Sequence, residues 1–238
     1  MNKYLVLGAS SDIAMGLLRA LSLSEEDEIV IQYRKMNDKL NEIMKSFCAK
    51  VHQISCDFES DESLDTFCKQ IDEMDYVPTH ILHATATPVS NRYFKEEEWG
   101  LVNQQLDVQV KSLFKVLKVV LPKMAMEKKG KIVTILTSYT FDEPPKYLTS
   151  YIVGKYATMG LLKSLAQEYK TKGISINMVS PSLIETKFCN NISKHIIESS
   201  AKESSTGQNI TVEEVATVIQ ELFEREDFIT GQNILLEN

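Results

Sequence analysis

Tyr151 and Lys155 stand four residues apart in the stretch Tyr151-Ile152-Val153-Gly154-Lys155. On a helix that spacing puts both side chains on one face, one turn apart, so an ammonium lies beside a phenol. A free tyrosine titrates at about pH 10 and exchanges protons poorly at neutral pH, but a neighbouring positive charge favours its phenolate. Two hydroxyls lie just upstream, Thr137 and Ser138, and either can hold a substrate carbonyl oxygen while Tyr151 exchanges a proton with it. The set suits carbonyl reduction. The spacing alone is common in a chain rich in lysine, so its weight depends on the elements around it.

Those elements read as alternating strands and helices. Residues 3–7 are a short apolar run followed by Gly8-Ala9-Ser10-Ser11-Asp12-Ile13-Ala14 and an amphipathic segment through Leu23. Strand, tight turn and helix in that order offer backbone N–H groups to a phosphate. Glu28–Tyr33 is a second strand, tipped by Tyr33-Arg34-Lys35 with no carboxylate, and Arg34 at that place suits a 2′-phosphate, hence NADP(H) ahead of NAD(H). Val51–Ser55 is a third strand leading into Cys56-Asp57-Phe58, where Asp57 can face an adenine, cap a helix over Glu59–Met74, or do both. Thr79–Ala86 reads as a buried strand, and a long helix follows from Trp99 to Met126, broken near its end by Pro122.

Lys131–Leu136 is a further parallel strand, and the hydroxyls and Tyr151 come directly after it. A helix over Tyr151–Lys172 closes at Gly173, Ile174–Val179 is a strand ended by Pro181, and Thr211 with Glu214 forms a capping box. The last strand is expected over Phe228–Leu236. Residues 185–210 are polar and suit a lid over a substrate. This alternation implies a doubly wound, Rossmann-like α/β fold, a parallel sheet of about seven strands with helices on both faces. Ligands of such sheets bind at the carboxyl ends of the strands, where all the singled-out residues fall. No repeat, low-complexity tract or linker interrupts the 238 residues, so one domain is expected.

Composition narrows the function. A net charge of −7 and a pI near 5.3 argue against nucleic-acid binding. Cys48, Cys56, Cys68 and Cys189 lack C-x-x-C spacing and His52, His80, His83 and His195 lack ligand spacing, so neither a disulfide framework nor a metal site is expected. No signal peptide or membrane span is expected, and the reduced thiols fit a cytoplasmic protein.

In this order the pieces resemble a short-chain dehydrogenase/reductase of the compact, single-domain type, over essentially the whole chain. The matches are Gly8-Ala9-Ser10-Ser11, Asp57, Gly130-Lys131-Ile132-Val133, Tyr151-x-x-x-Lys155 and Pro181-x-x-x-x-Thr186. The resemblance implies hydride transfer between a nicotinamide and a small-molecule carbonyl or alcohol. Tyr151 would be the general acid/base, Lys155 would lower its pKa and bind the nicotinamide ribose, Ser138 would orient the carbonyl, and Gln109 would stand in the proton relay. The cofactor would lie against Gly8, Ser10, Ser11, Asp12, Ile13, Tyr33, Arg34, Asp57, Phe58, Ala84, Thr85, Pro181, Ile184 and Thr186. It also implies a homodimer or homotetramer built on the two long helices.

Counting from Gly130 selects Thr137 as the catalytic hydroxyl and counting back from Tyr151 selects Ser138; Ser138 is preferred because the intervening loop can absorb one inserted residue. The chain departs from the family pattern at Asp12 and Ala14, where glycines are usual, at His83-Ala84-Thr85-Ala86 in place of Asn-Asn-Ala-Gly, and at Gln109 in place of asparagine. These departures support an alternative, a non-catalytic NADP-binding scaffold or sensor.

Overall fold

The computed structural model describes residues 1–188, 194–225 and 229–237. Seven strands, all parallel, make one sheet in the order β3-β2-β1-β4-β5-β6-β7. They are β1 Lys3–Leu7, β2 Glu28–Tyr33, β3 Lys50–Ser55, β4 His80–His83, β5 Gly130–Ile135, β6 Ile174–Pro181 and β7 Asn233–Leu236. The order reverses between β1 and β4, which opens a crevice at their carboxyl ends.

The helices are α1 Asp12–Ala20, α2 Asp38–Lys45, α3 Asp61–Glu73, α4 Trp99–Gln105, α5 Ser112–Glu127, α6 Thr149–Tyr169, α7 Lys194–Glu203 and α8 Val212–Glu224. Strand side chains alternate between faces, and each face has its own apolar layer. Leu5, Leu7, Val30, Ile81 and Ile132 pack with Phe67, Val116 and Leu162 of α3, α5 and α6. Tyr4, Val6, Ile29, Ile31 and Leu82 pack with Leu17, Ile43 and Ile219 of α1, α2 and α8. Covered on both faces, the inner strands must be apolar throughout, which is why they read as runs.

Three local expectations need correction. The break in the long helix falls at Leu106–Lys111, a π-helical stretch between α4 and α5, and Pro122 sits inside α5. Pro122 and Lys118, whose carbonyl loses its partner, are both exposed, so the lost bond falls on the solvent side of the helix, where a proline is tolerated, and the helix continues. Asp57 is not a helix cap: Ser60 takes that place and accepts from the Ser63 N–H at 3.2 Å. The last strand begins at Asn233, because Thr230, Gly231 (φ 75°) and Gln232 meet β6 through irregular bonds: Gly231 N–H donates to the Ile176 carbonyl and Thr230 Oγ1 accepts from Ile176 N–H. Phe228, its expected start, lies outside the described residues, as does Cys189.

The capping box of α8 forms as read: Thr211 and Glu214 each accept from the other's backbone N–H. At Gly173 (φ 70°) a methyl would lie 2.1 Å from the Lys128 carbonyl oxygen, so only glycine allows α6 to turn into β6 there. No helix among the described residues is long and apolar enough to cross a membrane.

Candidate active site

The crevice is a cavity of about 810 Å³ that runs from Gly8 to Tyr151. At one end the chain leaves β1 through Gly8, with φ at 76°. A methyl there would lie 2.8 Å from both the Ala84 carbonyl oxygen and Thr85 Cγ2, so the turn is pressed onto the end of β4. Buried Gln32 fixes it: its Oε1 accepts from Gly8 N–H at 2.8 Å and its Nε2 donates to the Cys56 carbonyl at 2.8 Å. One amide thereby joins the ends of three strands. Ser11 caps α1, accepting from Ala14 N–H at 3.2 Å. The positive end of α1 faces the cavity, which suits a phosphate. Asp12 also lines this end, and its carboxylate accepts from Lys187 N–H at 2.9 Å, which ties the segment after β6 to the turn.

Further along the β2 and β3 tips, Arg34, Asp57 and Phe58 line the wall, while Tyr33 does not. Arg34 meets a carboxylate after all. Glu59, from the loop after β3, takes Arg34 Nη1 at 3.1 Å and Gln104 Nε2 at 2.9 Å. The carboxylate missing from the β2 tip in sequence is thus supplied by a neighbouring loop.

At the other end, α6 brings Tyr151 and Lys155 together under the β5 tip. Lys155 is buried, donates from Nζ to the Ile135 carbonyl at 2.9 Å, and stands 5.5 Å from the Tyr151 ring centroid. Burial without a carboxylate partner pushes its ammonium down to about 7. Thr137 lines the cavity. Its loop is held by a chain of hydrogen bonds, the first of them buried: Thr140 Oγ1 donates to the Thr137 carbonyl at 2.8 Å, Asn233 Nδ2 donates to Thr140 Oγ1 at 2.9 Å, and Ser180 Oγ donates to Asn233 Oδ1 at 2.7 Å. Ser138 opens the 3-10 turn Ser138–Thr140, is buried, and is not part of the cavity wall.

Gln109 lies in the π-helical stretch, behind the wall rather than in it. Its Nε2 donates to Gln105 Oε1 at 2.6 Å, and a methyl at Gly154 would lie 2.9 Å from that nitrogen, so Gly154 makes room for the longer amide beside Lys155. His83 stands beneath Lys155. Thr85 Oγ1 donates to the Val108 carbonyl at 3.0 Å, which leaves it to accept from His83 Nε2–H at 2.6 Å and fixes the neutral tautomer. Burial and the Lys155 charge push His83 down to about 3.

Of the residues singled out in sequence, Ser10, Ile13, Ala84, Pro181, Ile184 and Thr186 join those already named in the wall. Tyr33, Ser138 and Gln109 stand outside it. Sequence reasoning missed Gln32, although a lone amide in the apolar strand Glu28–Tyr33 was a usable signal. It did not single out Tyr139, Tyr147 or Phe188, which line the outer wall, although Phe188 falls in the segment 185–210 that the sequence marks as a substrate lid. Among the described residues no group of three or more His, Cys, Asp or Glu is arranged to hold a metal.

A family model described as enoyl-(acyl carrier protein) reductase matches residues 8–238. The chain is 26% identical to the 3-oxoacyl-(acyl-carrier-protein) reductase FabG of Staphylococcus epidermidis, over 98% of its own length and 97% of that protein. It is 33% identical to FabG of Buchnera aphidicola, over 59% of its length, and that match spans 56% of the relative. Other matches among the most similar relatives likewise span about half of the relative's length, 54% for dehydrogenase/reductase SDR family member 4 of Oryctolagus cuniculus. Among solved structures, a 3-oxoacyl-(acyl-carrier protein) reductase with bound NAD from Brucella melitensis superposes with a TM-score of 0.85 at 20% identity, over 99% of this chain and 89% of that one. A 4-hydroxyisoleucine dehydrogenase complexed with NADH gives 0.85 at 22% identity, over 99% and 97%.

Proposed function

The chain belongs to the short-chain dehydrogenase/reductase family, and from that premise we propose that it is an NADP(H)-preferring oxidoreductase acting on the carbonyl or alcohol of a small molecule. The observation that carries this reading is Tyr151 with Lys155 5.5 Å from its ring, in a cavity that reaches back to a glycine turn on a helix N-terminus. A dinucleotide fits the cradle at Gly8, where any side chain would strike Ala84. Ser10, Ser11 and Ile13 would hold its phosphates, Asp57 and Phe58 its adenine, Ala84, Thr85 and Lys155 its inner ribose, and Pro181, Ile184 and Thr186 its nicotinamide. When bound, that cofactor supplies the hydride.

Tyr151 donates its phenolic proton to the carbonyl oxygen, and the charge of Lys155 stabilises the phenolate left behind. A hydroxyl from the β5 tip donates a hydrogen bond to the same oxygen and orients it. Ser138 was the sequence choice, but Thr137 has the wall position, so we assign the role to Thr137. Gln109 and His83 act behind Lys155 as positioning residues. Substrate enters beside residues 185–188 and 194–210, the described parts of the expected lid, whose residues 189–193 lie outside the described residues, and the chain works as one domain in a homodimer or homotetramer.

Two experiments test this. Tyr151→Phe should lower NADPH-dependent ketone reduction by about 10²-fold or more, Thr137→Val by about tenfold or more, and Ser138→Ala much less; full turnover by Tyr151→Phe ends the reading. Arg34→Ala should weaken NADPH binding and leave NADH binding unchanged, as seen in nicotinamide fluorescence titrations, because only NADPH carries the 2′-phosphate. A non-catalytic NADP-binding scaffold is favoured by Asp12 at the phosphate turn, and tight NADPH binding without turnover on a broad carbonyl panel would establish it.

A further inference from the structure

Beyond Tyr151 the cavity wall changes character. It is made by Val89, Tyr139, Tyr147, Leu148, Phe188 and Ile196, and Arg34 stands at the opposite end. Val89, Leu148 and Tyr151 form a small apolar cluster of their own, separate from the two sheet layers, with Tyr139 and Phe188 packed on it. The Phe188 ring lies 5.8 Å from the Tyr151 ring, inclined by 46°. Lys146 and Lys187 also border this end, but both are exposed and free to keep their charges in water.

Tyr147 is the telling residue. Its φ of 72° is in the left-handed region, which is strained for a residue with a side chain. Three features hold it there. Pro144 and Pro145 stiffen the approach, its carbonyl accepts from Arg92 N–H at 3.2 Å, and its ring meets Tyr93 at 4.5 Å. Yet the side chain so fixed is 41% exposed at the mouth of the cavity, so the strain serves no core packing. A strained, externally braced aromatic at a cavity mouth is arranged to meet a ligand.

Aromatic faces attract a second ring beyond simple burial, whereas the six side chains of this outer wall offer a carboxylate or phosphate neither a cation nor a forked donor, and the buried cation of the cavity, Lys155, lies behind Tyr151 and is engaged with the Ile135 carbonyl. Resting on the assignment of Tyr151 above, we infer that the substrate is an uncharged ketone, or its alcohol, with a flat apolar body such as an aryl or fused ring. Tyr147 and Phe188 hold that body.

The test measures binding and turnover separately. Binding of 1-tetralone, 2-octanone, benzoylformate and fructose 6-phosphate is followed by ligand-observed NMR, on the protein with and without NADP⁺, and NADPH oxidation is assayed with each. Expected is at least about tenfold tighter binding of 1-tetralone, a difference of about 1.4 kcal/mol. Tyr147→Ala and Phe188→Ala should each weaken it several-fold, Tyr147→Phe should retain it, and nucleotide titrations should be unchanged in all three. Equal binding of 2-octanone, preference for either anion, or indifference to both alanine variants overturns the inference. Tetralone binding in the expected pattern with no NADPH oxidation upholds it while removing the hydride-transfer reading; rapid reduction of an anion does the reverse.

Discussion

Lys155 carries a cost that its proposed chemistry would explain. An ammonium buried against a carbonyl, with no carboxylate beside it, loses hydration without full compensation, and its pKa falls to about 7. Between that value and the ordinary one of about 10.4 the unfolded chain binds the proton and the folded chain does not. Stability therefore rises with pH across this window on account of Lys155, and its cost is fully present below pH 7. Lys155→Met should abolish turnover and yet raise the unfolding midpoint at pH 6 relative to wild type, with the gain shrinking toward pH 10. A Met variant less stable than wild type at pH 6 would contradict it. Tyr151 and Lys155 were legible in sequence because a single helical turn brings them together. The choice between Thr137 and Ser138 was not, since it depends on how the loop to α6 takes up one extra residue.

Among the elements, the joint between β1, β2 and β3 depends on one side chain. Gln32 is buried and satisfies Gly8 N–H on one side and the Cys56 carbonyl on the other. Gln32→Leu leaves both groups buried without partners and should cost about 1–3 kcal/mol. It should also weaken NADPH binding, because the glycine turn loses its anchor. Chemical denaturation with a parallel nucleotide titration checks both; an unchanged midpoint would mean the turn holds itself. The π-helical stretch Leu106–Lys111 is a second device at this scale. It seats Gln109 against Gly154, one residue from Lys155, and its Val108 carbonyl takes the hydroxyls of both Thr85 and Ser112. Pro122 drew attention to the wrong place on the same helix, since a proline on the water side is tolerated.

Across the whole molecule, two histidines on opposite faces of the sheet link the fold to pH. His80 stacks on Tyr4 at 4.8 Å and, by burial, is pushed down to about 4; His83 is pushed down to about 3. An unfolded histidine takes its proton at about pH 6.5. Below that value the unfolded chain holds more protons than the folded one, so stability falls as pH drops from 6.5 toward 4, with a slope approaching about 1.4 kcal/mol per pH unit for each. Urea midpoints at pH 7 and pH 5 should differ, and His80→Phe should flatten part of that difference; a flat wild-type profile would count against neutral buried histidines.

By itself the sequence determined the class of fold and picked out most of the residues that line the cavity along the strand tips. Strand runs, helix periods, the Thr211 capping box and the glycines at 8 and 173 are local signals, written in contacts a few residues apart or in backbone angles only glycine adopts. Residues at strand tips fell together for the same reason, because parallel topology gathers those tips at one edge. Only the tertiary structure decided the rest. Glu59 reaches Arg34 from a loop 25 residues away, Asp12 meets Lys187 across 175 residues, and Tyr139, Tyr147 and Phe188 form one wall from separate segments. Such pairings follow from where packed elements leave their loops, and no spacing along the chain encodes that.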